Sequence, residues 1–407
     1  MSYVWMFRMI EFLYGTVTGT FAVNTLFLQS NSLNASVVGC VIAISSLSGA
    51  IGSVFWGIVA DKFQSRYIVF WITTLGTGFF ALLLPVSVKY TNHVMIIGFL
   101  LAMNRFSSSA TYSVLDSVVL NAQRKIKTMN YSTMRMFQSI GYSFICVLFT
   151  PIINRFGVNA PYIITAFLCV LLLYIGRNLK PFDDKSFLET SDLTHRKRNK
   201  LEMGRLLKNY YLVIILFLNL FIQFPNQATQ FIPYLLKDIE VSGSDAAIIS
   251  GLRVIGEITT LFFALYLRKF LTKPMIMCLS ALCFLAESLL YTVCSSFLSV
   301  VAVNLFGGVG YGLLLAGGVD LIFFFAPKGL ETTALSLYGM GAPLAGVTGT
   351  FAGGILIDYF GIRALYYVCA GMMGIWLISF LFACFVGGKF LNNPIAEGFV
   401  KNRTYEI

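Results

Sequence analysis

The sequence predicts an all-α membrane protein: twelve transmembrane helices arranged as two pseudo-symmetric six-helix bundles. Three observations lead there. The chain of 407 residues is 57% hydrophobic and only 12% charged, against roughly 25% charged for an ordinary soluble domain. A spanning helix needs roughly 20 apolar residues, and about twelve windows meet that length on the hydropathy criterion. The halves also echo each other. The segment from Ile153 to Tyr162, with Phe156, Gly157 and Ala160, returns from Ile357 to Tyr366 as Phe360, Gly361 and Ala364, at an offset of 204 residues.

The windows lie near 4–28, 36–60, 67–87, 94–121, 130–152, 160–177, 209–235, 245–267, 274–294, 297–326, 333–357 and 364–387. The first is too long and too studded with polar residues for a cleaved signal peptide, so it is read as the first span. Loops carrying Lys62/Arg66, Arg124/Lys125/Lys127, Arg268/Lys269/Lys273 and Lys328 alternate with loops holding isolated charges such as Lys89, Arg155, Lys237 and Asp358. Basic loops stay on the cytoplasmic side. The chain is therefore expected in the cytoplasmic (inner or plasma) membrane with both termini inside, and the +11 formal charge is assigned to these loops and not to nucleic acid. The expected domains are an N-terminal bundle over 1–178, a linker over 179–208, a C-terminal bundle over 209–390 and a tail over 391–407. The linker holds Arg196, Lys197, Arg198 and Lys200 and is read as a solvated, membrane-proximal segment. The eight cysteines lie almost all in apolar runs, without CxxC or Cys/His clusters, so neither a disulfide framework nor a metal is expected. No catalytic triad or nucleotide loop is found, and the glycines from Gly308 to Gly312 lie inside an apolar run, where they serve close helix packing.

Ionisable residues at membrane depth are functional candidates by default. Asp116 ends one apolar segment, and Arg135 and Tyr142 open the next. Seven residues apart, Arg135 and Tyr142 share a helical face. Arg253 and Glu257 are one turn apart; they neutralise each other, or Glu257 carries a proton that Arg253 modulates. Asn219, Gln223, Asn226 and Gln230 fall on one face of a helix, lining a cavity or bonding to neighbouring helices, and Pro225 and Pro233 break that helix. Glu287 and Asp320 are each a second protonation site or a structural partner for a base. Arg105 lies within the fourth segment. Arg8 and Glu11 lie near the inner end of the first, where Arg8 is expected to snorkel.

Gly57, Asp61, Lys62 and Arg66 stand at the spacing Gly-x-x-x-Asp-Arg/Lys-x-x-x-Arg/Lys. This resembles the loop between helices two and three of the major facilitator superfamily, where Gly lets two helices approach and the charges steer gating. Within that superfamily the chain looks most like the lactose permease and oligosaccharide–proton symporter branch. The run from Tyr3 to Phe7 resembles that branch's first helix. Its acid at the end of helix four falls on Asp116, its Arg-Met-Phe-x-x-x-Gly-aromatic run on Arg135, Met136, Phe137, Gly141 and Tyr142, and its Gly-Glu of helix eight on Gly256 and Glu257. The branch's charged set on helix ten falls instead on Val303, Phe306 and Val309, and its Arg of helix nine on Glu287. The resemblance implies a secondary transporter, not an enzyme. It would import a sugar or oligosaccharide by alternating access, with substrate on Asp116, Arg135, Tyr142, Gln223, Asn226, Gln230 and Glu257. Proton coupling would fall to Glu257, Arg253, Asp116, Asp320 and Glu287, and gating to Gly57, Asp61, Lys62 and Arg66. No cofactor is expected beyond an ion gradient, of protons or alternatively sodium. The expected partners are a saccharide and the lipid bilayer, with the protein a monomer. The alternatives are transport, inward or outward, of a nucleoside, aromatic acid or amphipathic compound, and a transporter-like sensor that does not turn over.

Overall fold

A computed structural model describes residues 3–63, 65–90, 93–126, 129, 131–182, 206, 209–327 and 330–390. The basic run of the linker, Lys127, Lys328 and the tail lie outside these residues. All regular structure among them is helical: α1 (Tyr3–Thr18), a 3-10 segment Gly19–Val23, α2 (Asn24–Ser30), α3 (Ala35–Phe63), α4 (Arg66–Tyr90), α5 (Val94–Lys125), α6 (Tyr131–Phe156), α7 (Ala160–Gly176), α8 (Tyr210–Ala228), a 3-10 segment Thr229–Phe231, α9 (Ile232–Asp238), α10 (Asp245–Phe270), α11 (Lys273–Val293), α12 (Phe297–Phe325), α13 (Glu331–Gly339), α14 (Gly341–Phe360) and α15 (Ile362–Phe390). By length and composition, eleven helices among the described residues can cross a membrane. Large apolar side chains stand on the outside, Met95 at 89% exposure and Phe262 at 80%. Such faces suit hydrocarbon and would be costly in water.

The expected first window is helical but broken, and it falls outside those eleven. Hydroxyls of Thr16, Thr18 and Thr20 donate to the carbonyls of Leu13, Gly15 and Val17 at 2.7, 2.8 and 3.0 Å, and such back-bonding competes with the α-helical ladder. The first helix of the second half breaks at the corresponding place. There Pro225 removes one ladder bond, Thr229 donates to the carbonyl of Asn226 at 2.7 Å, and Pro233 opens α9. The repeat is visible in the backbone too. Gly157 and Gly361 end α6 and α14 at φ +82° and +81°, the left-handed conformation that only glycine adopts without penalty. Tyr162 and Tyr366, five residues on, are both buried.

The chain divides into two compact units. Unit 1 takes Met1–His195, Phe231–Gly251 and Thr350–Asp358; unit 2 takes Arg196–Gln230, Leu252–Gly349 and Tyr359–Ile407. Two short pieces of the second half thus pack with the first, and the boundary is not one cut at mid-chain. Within unit 1, α5 packs on α3 and α4, and α1 on α6 and α7. The core between them holds Phe7, Ile10, Phe70, Leu115, Val119 and Leu172. Within unit 2, α11 packs on α12 and α15, and α8 on α15, around Leu212, Ile222, Phe284, Leu314 and Trp376.

Polar contacts fix the two short pieces inside unit 1. Asn154 accepts from the Ser244 hydroxyl at 2.6 Å, and Ser143 donates to the Gly251 carbonyl at 2.8 Å. Asp358, which the repeat pairs with Asn154, accepts from the backbone N–H groups of Ala35 and Ser36 at 2.9 and 2.7 Å. A carboxylate at the N-terminus of α3 satisfies two orphan donors and meets the positive end of the helix dipole. Asp358→Ala is expected to cost about 1 kcal/mol. The check is thermal unfolding of the purified protein, with Asp358→Asn losing less.

The expectation that Gly57 allows two helices to approach is corrected. A Cβ on Gly57 would meet nothing within 4 Å, whereas one on Gly52 would stand 2.5 Å from the carbonyl oxygen of Phe106. The close approach of α3 to α5 therefore lies more than a turn earlier. Of the other gating candidates, Lys62 is exposed and Arg66 half-buried, and the side chain of Asp61 lies outside the described residues.

Candidate functional site

Unit 1 carries one polar constellation in its interior. The Arg135 guanidinium, on α6, bonds to Gln138 one turn away and to the Tyr112 hydroxyl on α5. It also stacks on the Tyr112 ring, 4.1 Å from the centroid, and lies 3.8 Å from the Asp116 carboxylate. Both ions keep some exposure, 33% and 17% of the side chain, so the pair is open to a ligand. Glu11, on α1, is 1% exposed and its Oε2 has no hydrogen-bond partner among the described residues. The charges it feels are those of Asp116 and Arg135.

The approach of α1 to α6 sets this geometry. A Cβ on Gly15 would overlap the carbonyl oxygen of Gln138, and one on Gly141 the carbonyl oxygen of Phe12. Two glycines let the backbones meet, which brings Glu11 towards Arg135. The sequence grouped Asp116 with Arg135, and the structure brings them together. Tyr142 is half-buried, packs on the Ile145, Cys146 and Phe149 cluster and acts on Arg105. Tyr112 is thus the aromatic that the structure places on Arg135. Tyr112 and Gln138 were missed by sequence reasoning. The available signal was spacing, since Tyr112 stands four residues before Asp116 and Gln138 three after Arg135, each on the same helical face.

Unit 2 holds a second polar centre. Arg253, on α10, is ion-paired with Glu287 on α11. Its Nη1 donates to Asn304 Oδ1 on α12 at 3.1 Å, and its Nη2 to Asn226 Oδ1 on α8 at 3.3 Å. The Tyr291 hydroxyl donates to the same Asn304 oxygen at 2.8 Å. Gly307 makes the room, because a Cβ there would overlap the Glu287 carboxylate. Of the readings open from sequence, this is Glu287 as a structural partner for a base. Arg253 takes the acid of the neighbouring helix as its partner, while Glu257, half-buried one turn along α10, acts on it electrostatically. Asp320 bonds to Arg268 at 2.9 Å between α12 and α10, apart from the Arg253 network.

The amide stripe of α8 is divided. Asn219 is buried and donates to the Tyr338 carbonyl at 2.7 Å, so it bonds helix to helix and does not line a cavity. Gln223 is buried. Asn226 joins the Arg253 network, and Gln230 bonds to Gln227 at 2.7 Å. The glycines of α12 act as packing surface: Gly308 lies on the carbonyl of Arg253, and Gly312 on Thr260 and the carbonyl of Glu257.

Comparison with known proteins agrees with this architecture. A transporter of uncharacterised function from Bacillus subtilis (strain 168), YwbF, is 24% identical over 344 residues, covering 83% of this chain and 82% of that protein. A crystal structure of a mutant of the nucleoside transporter NupG superposes with a TM-score of 0.81 at 14% identity, over 93% of this chain and 98% of that one. That of a D-xylose–proton symporter superposes at 0.67 and 13% identity, over 94% and 97%. At these identities the structures speak for the fold. The family model described as "MFS_1 like family" matches residues 3–368, so the chain belongs to that family and is a membrane transporter with the major facilitator fold, not an enzyme.

Proposed function

We propose that this transporter is a proton-coupled importer of a sugar or oligosaccharide, working by alternating access. The observation that carries the reading is the constellation of Arg135, Asp116, Tyr112 and Gln138. A planar guanidinium, a carboxylate and an amide offer paired donors and acceptors to vicinal hydroxyls. The Tyr112 ring offers a face on which the apolar side of a sugar can lie. Glu257 is assigned the transported proton, beside an Arg253 already neutralised by Glu287.

A second reading, a nucleoside as solute, is favoured by the 0.81 TM-score to a nucleoside transporter. The same hydroxyl-binding set would take a ribose, and Tyr112 a base. Uptake by proteoliposomes separates the readings, using labelled galactosides, other disaccharides, nucleosides and aromatic acids, with and without an inward proton gradient. Gradient-driven accumulation of a glycoside supports the first reading, and flux of nucleosides alone supports the second. Asp116→Asn and Arg135→Ala are expected to weaken binding of the carried solute at least tenfold, and unchanged affinity in both removes them from the site. Glu257→Gln is expected to lose accumulation but keep exchange; a variant that still concentrates solute overturns its role.

A further inference from the structure

One cation of unit 1 has no acid to match it. Arg105 lies in the interior of α5, walled by segments of the same unit. Its aliphatic stem rests on Gly49 of α3, where a Cβ would stand 2.9 Å from its Cγ. Its guanidinium lies over the Phe21 ring, 4.1 Å from the centroid, in the 3-10 break after α1. Its electrostatic neighbours are the phenols Tyr14 on α1 and Tyr142 on α6. No ion pair or side-chain hydrogen bond to Arg105 occurs among the described residues. Of the carboxyls described in this interior, Asp116 faces Arg135, and Glu11 feels Asp116 and Arg135 and not Arg105. Yet Arg105 is exposed, although it sits deep in a span and among aromatic rings.

An uncompensated cation at membrane depth is expensive, and it persists only where water or a counter-ion reaches it. A neutral sugar supplies no counter-charge. The stacking geometry says which part of the guanidinium is available. Phe21 covers one face, while the N–H donors point outward in the plane, where they match the paired oxygens of a carboxylate or phosphate. Arg105 and Tyr112, the ring on which Arg135 stacks, stand seven residues apart on one face of α5, about 10 Å along the helix, so the two guanidiniums belong to one neighbourhood. Resting on the hydroxyl-binding reading above, we propose that Arg105 seats an anionic group of the transported solute. The cargo is then a hydroxylated organic anion of the sugar-acid class, its hydroxyls on the Arg135–Asp116 set and its oxyanion on Arg105.

The test is binding to the full-length protein in nanodiscs with matched neutral and acidic probes: D-glucose against D-glucuronate, and lactose against lactobionate. D-glucose 6-phosphate separates phosphate from carboxylate. In the wild type, one class of acid is expected to bind at least tenfold tighter than its neutral partner. Arg105→Gln should abolish that preference, and Arg105→Lys should keep part of it. Neutral sugars binding as tightly as acids overturn the proposal, as does an acid preference that survives Arg105→Gln. If neutral saccharides are carried and acids do not compete, the sugar reading stands and the anion seat falls. If the wild type binds neither member of any pair, both fall. Should Arg105→Gln not fold, the wild-type ratio of acid to neutral affinity still decides.

Discussion

The Glu287→Ala variant is expected to lose roughly 3–5 kcal/mol of stability, the cost of breaking a buried ion pair from one side. Arg253 and Glu287 show only 11% and 2% of their side chains. Removing the acid leaves a guanidinium among Asn226, Asn304 and Tyr291, whose oxygens offer dipoles but no opposing charge. Thermal unfolding in nanodiscs measures the loss. Arg253→Met combined with Glu287→Leu should recover most of it, because an apolar pair of similar volume avoids desolvating either ion. A double variant as unstable as Glu287→Ala would mean that the network matters through its hydrogen bonds and not through its charge balance.

Gly141→Leu is expected to be of comparable severity. The obstacle to a side chain there is the carbonyl of Phe12, and at Gly15 it is the carbonyl of Gln138. Backbone cannot rotate aside as a side-chain end can, so the helices must separate, at the upper end of the roughly 1–3 kcal/mol typical of overpacking. The displaced face carries Glu11, Arg135 and Gln138, so affinity for the carried solute should fall together with the melting temperature. Gly57→Ala is the control: with open space around it, it should be neutral or gain up to about 1 kcal/mol from helix propensity. A normal melting temperature for Gly141→Leu would show that α1 and α6 do not need this approach.

What the sequence made legible follows from where the signals reside. Spanning segments are signalled by continuous apolar length, a local property, and eleven of the expected windows are long and apolar enough to span among the described residues. The half-chain repeat was legible because Gly157 and Gly361 do the same backbone task, and Asp116 with Arg135 because charge is rare in such segments. The partner of Arg253 was not. Glu257 is four residues away and Glu287 thirty-four, and the choice depends on Gly307 admitting the pair between α10, α11 and α12, which no local pattern encodes. Asn219, Gln223 and Asn226 stand at helical spacing on α8, while Gln230 falls in the 3-10 segment beyond it, and spacing does not say which neighbour a face meets. Asn219 met the carbonyl of Tyr338. Gly57 fits its motif by type and spacing, while the contact it was expected to make belongs to Gly52.

The matched glycines at the ends of α6 and α14 give this protein an internal reference. Gly157→Ala and Gly361→Ala impose the same dihedral strain, since the backbone is at +82° in one and +81° in the other and neither meets a neighbour within 4 Å. Any difference between the two in unfolding or in transport therefore cannot come from the turn itself. It reports how tightly each copy of the repeat is held by its own surroundings, so the asymmetry between the two halves becomes a quantity readable from one polypeptide.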